Sequence, residues 1–157
     1  MKRLLAGVCI AWVATSAMAA SKTTTKAAAT PSAKVLWVTT GSIVSVSGGG
    51  LSASEIKTIK KQKLSNRTCM ARSPTAADIQ TAIGNTFGSC TFSKFGLATS
   101  AIRATMKCNG NYGPMDADFV GTRGTTSYSG SNSAVFAGSK GAVYVKSVIS
   151  GKISGNC

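Results

Sequence analysis

The chain has 157 residues, with 18 Lys and Arg against 4 Asp and Glu, no histidine, and a formal charge of +14. The missing histidine excludes Ser-His-Asp and Cys-His catalysis and removes the commonest metal ligand. Scarce carboxylates leave little for acid–base chemistry, while the excess of cations favours contact with anionic surfaces.

Met1-Lys2-Arg3 is a short positive region, Leu4 to Ser16 is an apolar run, and Ala17-Met18-Ala19 is an A-x-A cleavage site. Together they read as a signal peptide over residues 1–19, with the mature chain beginning at Ala20. The apolar run falls short of the roughly 20 residues that span a bilayer. Cys9 leaves with this leader, and Val8 before it does not suit lipidation. Loss of Lys2 and Arg3 lowers the charge from +14 to +12. Residues 20–34, ASKTTTKAAATPSAK, have no periodic apolar face and read as a disordered linker. A single domain over residues 35–157 follows.

Val35 to Val38 and Ile43 to Val46 are β-prone, and Gly48-Gly49-Gly50 breaks them. Leu51 to Leu64 reads as an exposed strand or loop leading into Arg67-Thr68-Cys69-Met70. Lys57, Lys60, Lys61, Lys63 and Arg67 form the densest positive patch, a candidate anion-binding site weighed against a solvated face. The patch lacks the interleaved aromatics of nucleic-acid modules, so no specific nucleic acid is expected. A helix is predicted over residues 74–83. Ser73 serves as its N-cap, Pro74 takes the first position, Asp78 lies at the positive end and Gly84 is the stop.

The stretch Cys90 to Cys108 folds back at Ala98-Thr99-Ser100. Cys90 then faces Cys108, Phe92 faces Met106, Lys94 faces Ala104 and Gly96 faces Ile102, all on one face. Asn109 to Pro114 is turn chemistry. Met115, Ala117, Phe119 and Gly121 alternate with Asp116, Asp118, Val120 and Thr122, as in a strand. Arg123-Gly124 turns the chain into Thr125 to Tyr128. Val135 to Ala137 is a further strand segment, Gly138 to Gly141 a turn, and Ala142 to Ile149 the last long strand. The glycine-rich tail Gly151 to Cys157 is pinned by its cysteine. The fold class is mainly β (α+β by strict count). Its architecture is an antiparallel meander forming a curved sheet or small barrel, with one short helix and two disulfides.

Cys69, Cys90, Cys108 and Cys157 allow three pairings. The hairpin selects Cys90–Cys108, which leaves Cys69–Cys157. A four-thiolate metal site is disfavoured, since there is no C-x-x-C pair. Asp116 and Asp118 share a strand face and could act as an acid/base pair or grip a cation, but salt bridges with the surrounding lysines are the simpler reading. Ser54-Glu55-Ile56-Lys57 matches S-x-x-K without the companion motifs of penicillin-recognising enzymes. Trp37, Phe92, Phe119, Phe136 and Tyr144 read as core, with an apolar pocket inside a curved sheet as the alternative.

Trp37 follows a short linker, and Thr68-Cys69 precedes a Pro-Thr-Ala-Ala-Asp helix start. Cys90 opens a hairpin ending in Met106-Lys107-Cys108, Tyr128-Ser129-Gly130 lies in the later strands, and Gly155-Asn156-Cys157 closes the chain. In this order the chain resembles the small exported bacterial proteins grouped as domain-of-unknown-function family 3617. It departs from them at Gly-Asn-Cys, where Gly-Asp-Cys is usual, and in the lysine-rich 57–63 segment. The resemblance implies a Gram-negative envelope and periplasmic or secreted localisation, with no established activity and no catalytic residues to carry over. The expected function is that of a non-enzymatic binding or structural module of the envelope, without a cofactor or a transmembrane segment in the mature chain. Its partner would be an anionic envelope component or a periplasmic protein. An exported enzyme inhibitor and an anionic-polymer or lipid binder are the alternatives, and an enzyme is the least supported.

Overall fold

The computed structural model describes residues 33–157. The expected signal peptide, and all of the linker but Ala33 and Lys34, lie outside the described residues. The elements run β1 (Lys34–Gly48), α1 (Ala53–Lys60), β2 (Lys63–Ala71), α2 (Ala76–Phe87), β3 (Ser89–Leu97), β4 (Ala101–Gly110), β5 (Gly113–Arg123), β6 (Ser127–Gly138) and β7 (Gly141–Asn156). All strands belong to one antiparallel sheet in the order β2-β1-β7-β6-β5-β4-β3. Strands β3 to β7 are a meander, and β1 adds to its far side against β7. The sheet curls into a half-barrel. Its two edge strands are spanned by α2, which packs on β2, β3 and β4.

Period-two alternation sets the layers. On β5, Ala117 and Phe119 are buried while Asp116, Asp118 and Val120 are exposed. Trp37, Met70, Ile79, Ile83, Ile102, Phe119 and Tyr128 belong to the larger apolar cluster on the concave side. Trp37 stacks on Tyr128 at 6.1 Å, and its indole N–H donates to the Ala71 carbonyl at 3.2 Å. A second cluster, Val46, Ile59, Phe136 and Val143, lies at the opposite end of the half-barrel, beneath α1. The cysteines are bonded as Cys69–Cys157 and Cys90–Cys108.

Six readings of the sequence need correction. The segment after Gly50, read as an exposed strand or loop, contains α1. Ser52 and Glu55 form a reciprocal capping box, with the Glu55 N–H donating to the Ser52 hydroxyl and the Ser52 N–H to the Glu55 carboxylate. Helix α2 starts after Thr75, not Ser73, because Thr75 makes the same box with Asp78. It also runs through Gly84 to Phe87 and stops at Gly88, whose φ of +121° ends the helix. Gly84 instead permits close packing, since a Cβ there would lie 3.3 Å from the Phe92 ring.

The hairpin has the expected pairs Cys90–Cys108 and Phe92–Met106, but a bulge between Phe92 and Lys94 shifts the rest. Phe95 then faces Ala104 and Leu97 faces Ile102. The extra residue turns Phe95 and Leu97 onto the core side and leaves Lys94 and Gly96 exposed. Strand β6 is one continuous strand rather than two segments. Its serines occupy the outward positions, while Asn132, Ala134 and Phe136 point inward. The last strand does not end at Ile149: the tail pinned by Cys157 is strand as well, and β7 pairs with β1 as far as Asn156.

Of the aromatics read as core, Trp37, Phe119 and Phe136 are buried and Phe92 is partly so. Tyr144 is 54% exposed on the outer face, opposite Val135. Its position alternates with buried Val143, which fixes its outward direction.

Candidate ligand-binding site

The concave side is not completely filled. A cavity of about 300 Å³ lies where the two apolar clusters meet. Ile59 of α1 and Phe87 at the end of α2 are among the residues that line it, and the strands contribute Ile43, Met115, Phe136 and Val145. Tyr112, in the β4–β5 turn, also lines it and stacks on Phe136 at 5.3 Å, with the rings 10° from parallel. Burial pushes the Tyr112 hydroxyl above its ordinary pKa, so the ring is neutral at physiological pH. The volume sits at the lower end of the range for small-molecule sites.

Polar residues line the cavity too, among them Gln62, Lys63, Asn85 and Asn111, and two buried ones face each other on the strand wall. Asn132 of β6 and Ser147 of β7 are direct cross-strand partners, and each is 2% exposed. The Asn132 Oδ1 has no hydrogen-bond partner among the described residues. A buried polar atom left unpaired costs about 1–3 kcal/mol, so natural cores rarely keep one without a use. Rotation of the amide exchanges its oxygen and nitrogen, so Asn132 can offer the cavity an acceptor or a donor. Thr86 is also buried there, but its hydroxyl already donates to the Ala82 carbonyl at 2.8 Å. The site is therefore a hollow of mixed character, with the buried Asn132 amide and Ser147 hydroxyl on its strand wall and Gln62, Lys63, Ser65, Asn85 and Asn111 also lining it.

The basic patch is only partly a unit. Lys57, Lys60 and Lys61 are exposed at the C-terminal end of α1, where the helix dipole favours positive charge. Lys63 begins β2 and lies at the cavity mouth. Arg67 lies four residues further along β2, about 13 Å away at strand rise, and faces outward opposite Val38. Asp116 and Asp118 are on the outer face, away from the cavity. Asp116 pairs with Lys107 at 3.5 Å, and Asp118 accepts from the Thr105 hydroxyl at 2.8 Å. Ser54 bonds the Ser52 hydroxyl at 3.0 Å. Among the described residues no group of His, Cys, Asp or Glu could hold a metal ion, and no helix is long and apolar enough to cross a membrane.

The family model described as "protein of unknown function (DUF3617)" matches residues 11–157. The chain belongs to this family. No curated protein and no solved structure matches it.

In this DUF3617 chain the sequence locates the charges and offers Phe136 as a pocket residue, but not the buried polar part of the wall. Asn132 and Ser147 were absent from the candidate residues because Ser-Gly-Ser-Asn-Ser reads as loop composition. The available signal was parity: Asn132 sits two residues before Ala134 and four before Phe136, on the apolar face of the same strand.

Proposed function

We propose that this DUF3617 domain is a non-enzymatic binding module of an exported protein, and that it takes a small apolar molecule bearing one hydrogen-bonding group. The observation that carries this reading is Asn132, whose Oδ1 is buried and unpartnered on a cavity wall that also carries Ile43, Ile59, Phe87, Met115, Phe136 and Val145. An apolar ligand would gain from burial, and its polar group would satisfy the amide. The two cysteine pairs support an oxidising compartment. With the leader expected over residues 1–19, they support maturation at Ala20 and residence in the periplasm or outside the cell. The inhibitor reading has less support. The strand-to-strand connections at residues 98–100, 111–112, 124–126 and 139–140 are short, and none provides a long reactive loop.

N-phenyl-1-naphthylamine, an apolar fluorophore with a single N–H, tests the cavity. The wild-type domain should enhance its emission saturably. Ala134→Trp, which fills the hollow, should abolish the enhancement, and Asn132→Leu should weaken binding about tenfold, as expected for one buried hydrogen bond. Unchanged binding in Ala134→Trp would reject the reading.

A further inference from the structure

The outer face of the sheet carries a second pattern, which meets the cavity only at Lys63 and Ser65 on edge strand β2. Register places Ser65, Thr40, Ser150, Ser129 and Thr122 side by side on β2, β1, β7, β6 and β5. All five are exposed. They form a row of hydroxyls crossing five adjacent strands, spaced by the interstrand distance of about 4.8 Å. Cations flank this row on both sides. The neighbouring row on one side runs Arg67, Val38, Lys152 and Ser127. The row on the other side runs Lys63, Ser42, Val148, Ser131, Val120 and Arg103. Lys146 lies one row further out, on β7.

No carboxylate occupies these three rows. Asp116 and Asp118 lie beyond them and are engaged with Lys107 and Thr105. Arg67, Lys152, Lys63 and Arg103 therefore flank the hydroxyl row without an acidic partner in it.

We propose that this face binds a linear acidic polysaccharide along the hydroxyl row. Charge complementarity selects a polyanion. The hydroxyls, which both donate and accept, suit a polymer whose own surface is hydroxyl-rich. The interstrand spacing is of the order of one sugar ring, so successive units meet successive strands. Nucleic acid fits less well, because single strands need aromatic platforms. Among the large exposed apolar side chains of the described residues only Tyr144 is aromatic, and it stands two rows beyond the Lys63 row.

Polygalacturonate is a suitable probe, with a neutral galactan and single-stranded DNA as comparators, followed by titration calorimetry at several salt concentrations. The wild-type domain should bind polygalacturonate, bind the galactan at least tenfold more weakly, and lose affinity steeply with salt. Arg67→Glu with Lys152→Glu should weaken binding at least tenfold. Lys57→Glu with Lys61→Glu makes the same charge change on α1, off this face, and should weaken it less than threefold. Ser150→Val with Ser129→Val leaves charge untouched and should weaken binding severalfold, with melting temperature confirming an intact fold. Equal losses in the two charge-reversal variants, no effect of removing the hydroxyls, or DNA binding as tight as polygalacturonate would each overturn the proposal.

Discussion

The Tyr128 ring lies over Gly151, its cross-strand partner, so closely that a Cβ at Gly151 would collide with it. The same ring stacks on Trp37, and its hydroxyl hydrogen-bonds Thr39. Burial raises the Tyr128 pKa, with the Thr39 bond acting in the opposite direction. Gly151→Ala should displace the ring and destabilise the domain by about 1–3 kcal/mol, as overpacking does. Tyr128→Phe removes only the hydroxyl and should cost about 1 kcal/mol or somewhat more, because Thr39 is left buried. Urea unfolding of both variants checks the order of the two effects.

The bulge in β3 gives a contrast between neighbours. Phe95 packs against the core and meets Phe92 edge-on at 5.8 Å, while Lys94 is exposed. Phe95→Ala should cost about 2–3 kcal/mol and Lys94→Ala less than about 0.5 kcal/mol. The unbulged register would reverse them, so two denaturation curves decide between the pairings.

The caps carry a pH prediction. The Ser52 side-chain hydrogen bond, followed by the Ser52 backbone bond, holds the Glu55 pKa below its ordinary 4.5. The folded pKa is depressed, so the stabilisation is complete above the unfolded value and is lost as pH falls through the folded one. Glu55 is fully exposed, so the effect is confined to the acid limb below about pH 4.5. Stability measured against pH should fall less steeply there in Glu55→Gln than in the wild type. Thr75→Ala, at the buried helix, should cost about 1 kcal/mol at neutral pH.

The Cys69–Cys157 bond ties edge strand β2 to the end of β7, across β1. It closes a loop of sequence separation 88, for which chain entropy gives about 4.6 kcal/mol. Cys69→Ser with Cys157→Ser should lower the melting temperature and speed amide exchange in residues 151–156 before the rest of β7. Uniform acceleration along β7 would show that the bond does not act as a local pin.

Legibility in the sequence followed how local the deciding interaction was. The alternation of β5 and the pairing of Cys90 with Cys108 were readable because period two and a short loop suffice. The start of α2 was misplaced because Ser73-Pro74 and Thr75-Asp78 offer competing starts, and only the second gives a reciprocal box. Helix α1 was missed although Ser52 and Glu55 carry the same signature, because its lysines mask a narrow apolar face of Ile56 and Ile59. The bulge, the strand character of residues 150–156 and the cavity wall depend on contacts between distant strands. Asn132 is polar by composition and inward by register, and only the assembled sheet reveals which property governs its place.

The adjacency of β1 and β7 has a kinetic consequence. Every residue of β1 from Val35 to Gly48, except Val44, is paired with β7, so the sheet cannot be completed from the N-terminal half of the chain. Strand β1 waits for β7, about a hundred residues later, and such non-local pairing makes for slow folding.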